Sequence, residues 1–160
     1  VDVLIYATGF QWVATSTFNM IVGREGRTLR DKWQQEGTKT FLGLHSKGFP
    51  NLFIVSGPQG GGGSFNFTNA IEEHGDYVVW MLDTLRKAGK DLVDVKAEHE
   101  DAYAEHCRAA DELTRPLRDC ITYYNGHGEA EPGSLAYYGG GAWHKYRIRA
   151  QESLDPYVFE

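Results

Sequence analysis

Asp2-Val3-Leu4-Ile5-Tyr6-Ala7-Thr8-Gly9-Phe10 is the stretch on which the reading of the fold turns. Apolar residues run without a polar break from Val3 to Tyr6 and stop at the small residues Ala7-Thr8-Gly9. A short continuous run of this kind suits a strand covered on both faces, as in a parallel sheet. A buried strand makes a poor natural terminus, so the sequence is expected to begin inside a larger protein.

Working outward, Ile21 to Leu29 reads as a hairpin whose turn is supplied by Gly23 to Gly26. Thr38 to Leu44 is a further strand candidate. Leu52-Phe53-Ile54-Val55 reads as a second buried strand that ends at Gly57-Pro58. Four glycines follow, Gly60 to Gly63, and then Ser64 and Asn66, both candidate N-caps. The helix expected next carries Ile71, Val78, Leu82 and Leu85 on one face, with Glu72, Glu73 and Asp76 in its first turns. Arg86 and Lys87 suit its last turn, and Gly89 its C-cap. Leu92 to Lys96 reads as an edge strand. A second helix is expected from Glu98 to Leu113, with Ala102, His106, Ala109, Ala110, Leu113 and Leu117 inward and Pro116 ending or kinking it. Beyond Asp119 the chain is rich in aromatics and glycine. The order strand, hairpin, strand, helix, helix predicts an α/β fold lacking its first strands.

Composition excludes several functions. The formal net charge is −6 and the basic residues are scattered, which argues against a nucleic-acid partner. No apolar run approaches the ~18 residues of a membrane span. Cys107 and Cys120 form no C-x-x-C pair, and two thiols suit a reducing cytosol. His99 and His106 share a helix face, but two turns is too long a gap for one metal ion, so no metal site is expected. His74 reads as a partly buried structural residue. No G-x-S-x-G elbow is present, and Glu72 and Glu73 diverge as helix neighbours, so neither nucleophilic nor paired-carboxylate catalysis finds support. The glycines from Gly60 onward match neither the dinucleotide G-x-G-x-x-G pattern nor a P-loop. They do join the end of an expected strand to a helix N-terminus. There, free amides and a side-chain-free backbone can meet an electron-rich flat ligand, or simply form a turn.

The opening segment resembles the D-x-x-x-x-A-T-G-F/Y strand of the flavin monooxygenases, and further matches follow in family order. Gly23-Arg24-Glu25-Gly26 with Leu29 and Trp33 is similar to their G-R-x-G-x-x-L-x-x-x-W hairpin. Thr40-Phe41-Leu42-Gly43-Leu44 and Gly48-Phe49-Pro50-Asn51-Leu52-Phe53 resemble their Y-L-G-L and G-F-P-N-L-F stretches. Asn66 with Ala70-Ile71-Glu72-Glu73-His74 resembles their N-x-x-x-A/S-I-E-x-H helix start, and Tyr138-Gly139-Gly140 their Y-x-G-G segment. The Trp-bearing hairpin and the aromatic tail favour the Baeyer–Villiger branch.

The resemblance implies that residues 1–160 form the C-terminal part of a Rossmann-like FAD-binding domain: parallel strands, a β-hairpin, two main helices and an irregular aromatic, Gly-rich tail. It implies FAD and NADPH as cofactors, and insertion of oxygen from O2 into a ketone to give an ester or lactone, in a cytoplasmic enzyme. Carried over by position, Thr8, Gly9, Gly57, Pro58, Asn66 and Phe67 would contact the cofactor, with Asn66 and Phe67 at the flavin's pyrimidine edge. Tyr123 would lie toward the nicotinamide, in place of a Trp. Gly62, Gly63, Ser64 and Phe67 would line the ketone pocket. The family's FAD loop, NADPH domain and catalytic arginine correspond to positions upstream of Val1, so no catalytic residue is assigned here and the chain alone is expected to be inactive. Relatives carry bulkier residues where this chain has four glycines, and Gly-Lys-Pro where it has the acidic His127 to Pro132. An N- or S-oxygenating flavin monooxygenase and a non-catalytic binding remnant remain as alternatives.

Overall fold

The computed structural model describes residues 2–7, 17–60, 66–112 and 142–160. Its elements are α1 (Thr17–Met20), a 3-10 turn (Arg24–Gly26), α2 (Leu29–Glu36), α3 (Phe67–Ala88), β1 (Val93–Val95), α4 (Ala97–Glu112), α5 (Ala142–Ser153) and β2 (Tyr157–Phe159).

α3 forms where its end signals place it. Asn66 caps the N-terminus, its side chain accepting the Thr68 amide at 2.9 Å. Gly89 ends the helix in the left-handed conformation, and the Lys90 amide reaches back to the Leu85 carbonyl at 3.0 Å. The buried stripe is Ala70, His74, Tyr77, Met81 and Leu85. Ile71 and Leu82, expected to face inward, are exposed instead. The aromatic and polar side chains of His74 and Tyr77 occupy the inner face because they hydrogen-bond other buried groups there. Glu72, Glu73 and Asp76 lie beyond the first turn, which holds no acidic residue. α4 departs from its expected stripe in the same way. Tyr103, Ala104 and Cys107 are buried with Glu100, whereas Ala102 and Ala109 are exposed. Leu113, Pro116, Leu117 and Cys120 lie outside the described residues.

The strand expectations fare worse. The one sheet among the described residues is antiparallel and two-stranded, β1 with β2, in the register Val93 to Phe159 and Val95 to Tyr157. The edge strand expected over Leu92–Lys96 is thus present, but no parallel pair forms among the described residues. Val3, Leu4, Ile5 and Tyr6 have no strand partner there and stand 68–84 % exposed. An extended segment becomes a strand only when a neighbour completes its ladder. The hairpin over Ile21–Leu29 contracts to one bridge, Val22 to Thr28, with Thr28 then capping α2 through the Asp31 amide at 3.1 Å. Thr38 to Leu44 and Leu52 to Val55 are not strands. The first closes on itself through a Phe41–His45 bridge, with Leu42 and Gly43 at φ 59° and 68°. The second is tied back by a single bond from the Ile54 amide to the Leu44 carbonyl, 2.8 Å.

This irregular segment nevertheless lies in the core. Phe41, Leu42 and Leu44 pack with Tyr77, Met81, Leu85, Val93, Tyr103, Cys107, Trp143 and Tyr157, between α3, α4, α5 and the small sheet. A second cluster, Leu29, Trp33 and Phe49, seats α2. Between the clusters lies a buried ion pair. The Lys32 ammonium stands 2.7 Å from both Glu100 oxygens and 2.8 Å from Ser46 Oγ, while Glu100 also accepts the Lys47 amide at 2.8 Å. Burial pushes the Lys32 ammonium down and the Glu100 carboxyl up, and each partner opposes that shift in the other.

Removing one partner leaves the other charge buried, at a cost of about 3–5 kcal/mol, whereas replacing both with apolar residues of similar size is nearly neutral. Glu100→Leu is therefore expected to lower the urea midpoint sharply, and Lys32→Met/Glu100→Leu to restore part of it, the Lys47 amide still lacking its acceptor. Equal losses in the single and double variants would contradict this account of the pair.

Candidate functional site

The turn Ser56–Gly60 and the N-terminus of α3 hold the described members of the expected site. Gly57 is half-buried and Pro58 buried; Asn66 is exposed, and Phe67 is 59 % exposed at the helix tip. Thr8, Gly9, Gly62, Gly63, Ser64 and Tyr123 lie outside the described residues.

The turn is built by close backbone approach. A Cβ on Gly43 would sit 2.2 Å from Gly60 Cα, and one on Gly57 would sit 2.7 Å from the Gly43 carbonyl oxygen. Only glycine permits this contact at either place. The residues flanking Gly57-Pro58 are themselves left-handed, Ser56 at φ 56° and Gln59 at φ 63°. For an L-residue this conformation costs roughly 1–2 kcal/mol. The surroundings hold both. The buried Gln59 carboxamide accepts the Thr40 amide at 2.9 Å and donates to the Thr38 carbonyl at 3.2 Å, and Tyr103 OH donates to the Gln59 carbonyl at 2.8 Å. Thr40 Oγ1 lies 3.0 Å from the Pro58 carbonyl. Ser56 is held from α3, its amide donating to His74 Nδ1 at 3.0 Å.

α5 closes the side of the turn. Trp143, 1 % exposed, donates from Nε1 to the Leu42 carbonyl at 2.8 Å and packs its ring 5.0 Å from that of His74. Arg147 lies over the Trp143 ring and reaches Glu73 of α3 at 3.0 Å. Further in, His45 Nε2 is 3.1 Å from Tyr77 OH, which hydrogen-bonds Tyr157 OH. Of these, only His74 was singled out in the sequence, as a partly buried structural histidine; it is 1 % exposed. Gln59, Trp143, His45, Tyr77 and Tyr157 carry no motif; their partners lie up to 101 residues away.

The electrostatics favour neutral groups. Burial pushes His45 down to about 3 and His74 down to about 4, the Gly60 backbone and Glu73 opposing the shift at His74. Burial pushes both phenols up. His99 pairs with Asp155 at 3.0 Å, and among the described residues no three His, Cys, Asp or Glu side chains converge as metal ligands. At neutral pH the described site thus offers shape, backbone amides and the positive end of a 22-residue helix, with Phe67 projecting beside it.

No family model matches the chain. Single relatives do. The Baeyer–Villiger monooxygenase peniC of Penicillium patulum is 33 % identical over 89 % of this chain and 25 % of its own length. A Baeyer–Villiger monooxygenase of Streptomyces coelicolor is 34 % identical over 96 % of this chain and 26 % of its own. A phenazine N-monooxygenase of Lysobacter antibioticus is 29 % identical over 96 % of this chain and 28 % of its own length. Among solved structures, the OTEMO complex with FAD and NADP superposes with a TM-score of 0.74 and 26 % identity, over all of this chain and 31 % of that one. The chain thus spans about a quarter of the length of the Baeyer–Villiger monooxygenases it matches, and its α/β fold corresponds to their C-terminal part.

Acid should unfold this core in a defined window. Each histidine titrates near 6.5 in the unfolded chain and near 3 or 4 in the folded one. The unfolded state therefore binds more protons below pH 6.5. Stability is complete above pH 6.5 and falls as pH drops toward 4, by on the order of 3 kcal/mol per histidine. Melting temperature measured from pH 7 to pH 4 is expected to fall, and to fall less steeply in His45→Gln and His74→Asn. A pH-independent melting temperature over that range would contradict the neutral assignment.

Proposed function

We propose that this chain is the C-terminal part of the Rossmann-like FAD-binding domain of an FAD- and NADPH-dependent Baeyer–Villiger monooxygenase. It would act in the cytoplasm on a ketone, with O2 as oxidant and an ester or lactone as product. The observation that carries the reading is identity of 33–34 % to two such enzymes across nearly the whole chain. The absence of a membrane-length apolar helix among the described residues is compatible with it.

The described residues fit a flat, electron-rich ring. Half-buried Gly57 and buried Pro58 lie in the turn set by the close Gly43–Gly60 approach, and would bring backbone to the ring. The capped N-terminus of α3 directs its dipole at whatever stands before Asn66, which favours negative charge there. Phe67 offers an exposed apolar face beside it. When bound, FAD would supply the redox and oxygen-transfer chemistry. The chain would bind and orient the ring, favour its reduced, anionic form and keep water from its edge. His45 and His74, held neutral, would hold the surrounding shape and move no proton at pH 7.

In the complete enzyme Val3–Tyr6 would gain strand partners, and Ile71, Val79 and Leu82, 40–67 % exposed along α3, would be covered. Hydrogen exchange on the full-length polypeptide is expected to show Val3–Tyr6 amides protected. Free exchange there would argue against the placement in a sheet.

The deciding experiment uses the full-length polypeptide that carries this segment. It is expected to purify with FAD and to oxidise NADPH faster when a ketone is present. With 18O2 one labelled atom is expected in an ester or lactone product. A second reading follows from the phenazine N-monooxygenase: oxidation of a ring nitrogen. N-oxide formation without any ester from a ketone panel would favour it over the first.

A further inference from the structure

His74 sits two turns into α3 and is 1 % exposed. Its Nδ1 accepts the Ser56 amide at 3.0 Å, which puts the proton of the neutral ring on Nε2. The other ring nitrogen faces the Gly60 backbone, and Ser56 Oγ is buried without a hydrogen-bond partner among the described residues. The ring tilts against Trp143, and a Cβ on Gly60 would stand 3.2 Å from His74 Cε1. So the imidazole touches both ends of the turn that contains Gly57 and Pro58. That turn is flanked by two left-handed residues, Ser56 and Gln59. A conformation of this kind persists only where its surroundings over-determine it. Gln59 has several clamps, from Thr40, Thr38 and Tyr103. Ser56 has His74.

We propose that His74 is the positioning residue of this turn: by holding Ser56 left-handed it fixes where Gly57 and Pro58 stand against the flavin. The proposal rests on the flavin reading above. It assigns no proton transfer to the ring. Its effect passes through the backbone, so it should appear in FAD affinity and in the shape of the flavin absorption band, beyond any change in folding stability.

The test uses the full-length polypeptide carrying this segment and four variants: His74→Leu, His74→Asn, Ser56→Gly, and Ser56→Gly combined with His74→Leu. FAD affinity and band shape are measured at a temperature where each apoprotein is folded. Leucine keeps the bulk and removes the acceptor, so FAD affinity is expected to fall roughly tenfold, with an altered band. Asparagine places its Oδ1 at the Nδ1 position, so its loss is expected to stay within about threefold. Glycine adopts positive φ without strain, so Ser56→Gly is expected to return at least half of the leucine loss on a logarithmic scale. Should His74→Leu not fold, His74→Gln, which moves the acceptor off the Nδ1 position, takes its place. Equal losses in the leucine and asparagine variants, or no recovery with Ser56→Gly, would overturn the positioning role. A wild-type protein that takes up no FAD would instead overturn the flavin reading on which it rests.

Discussion

The structure depends on satisfying the peptide groups of a buried segment that has no regular secondary structure. Between Lys39 and Gly60 the chain passes through the core, with Thr40, Leu42, Leu44, Ser46 and Gln59 each at most 1 % exposed. Helices and sheets satisfy their own amides and carbonyls; a buried irregular stretch cannot. Here side chains do it, one from nearly every surrounding element. Trp33 takes the Lys39 carbonyl, Gln59 the Thr40 amide and Trp143 the Leu42 carbonyl. Glu100 takes the Lys47 amide, Asp94 the Gly48 amide, and His74 the Ser56 amide. Tyr103 takes the Gln59 carbonyl.

That arrangement explains why the helices stand where they do. α2, α3, α4 and α5 each send at least one polar side chain into the same stretch of backbone, so moving any of them exposes or orphans a buried group at about 1–3 kcal/mol. The same stretch holds four left-handed residues, Leu42, Asn51, Ser56 and Gln59, in a conformation that isolated chains avoid. The result is a stiff turn at Gly57-Pro58 near the start of a long capped helix. Stiffness has a chemical use in the proposed enzyme, where a redox cofactor must be held at one distance from its substrate while water is kept out.

What could be read from the sequence follows from the range of the interactions. Local signals succeeded. Asn66, Gly89, Arg86 and Lys87 mark the ends of α3 through contacts a few residues long, and the ordered family resemblance is matched by relatives covering most of the chain. Period-based signals misled for strands and for helix faces. Thr38–Leu44 and Leu52–Val55 are apolar because they are buried, and apolarity alone does not distinguish a ladder from a side-chain-clamped loop. On α3 and α4 the inner faces belong to Tyr77, His74, Tyr103 and Glu100, polar or aromatic residues that a count of aliphatic side chains places outside. Their partners, His45, Ser56, Gln59 and Lys32, lie 18–68 residues away in the chain. Pairings at that separation leave no periodic trace.

The exposed apolar residues complete the argument. On α3 the buried stripe runs directly into Ile71, Val78 and Leu82, so the combined arc covers about 140° of the helix circumference. Only part of that arc meets the core described here. The expected face, Ile71 with Leu82 and Leu85, and the observed one, Met81 with Leu85, are adjacent sectors of one surface. A helix apolar over so wide an arc is built to be covered from two sides. Val3–Tyr6 is likewise composed for burial on both faces and is exposed. Two separate elements thus present apolar surface composed for covering, in a chain that spans a quarter of the enzymes it matches. In the proposed enzyme one neighbouring layer, the nucleotide-binding sheet, would meet both needs. Docking it on α3 would also set the helix N-terminus, and the turn that His74 holds, against the cofactor that layer carries.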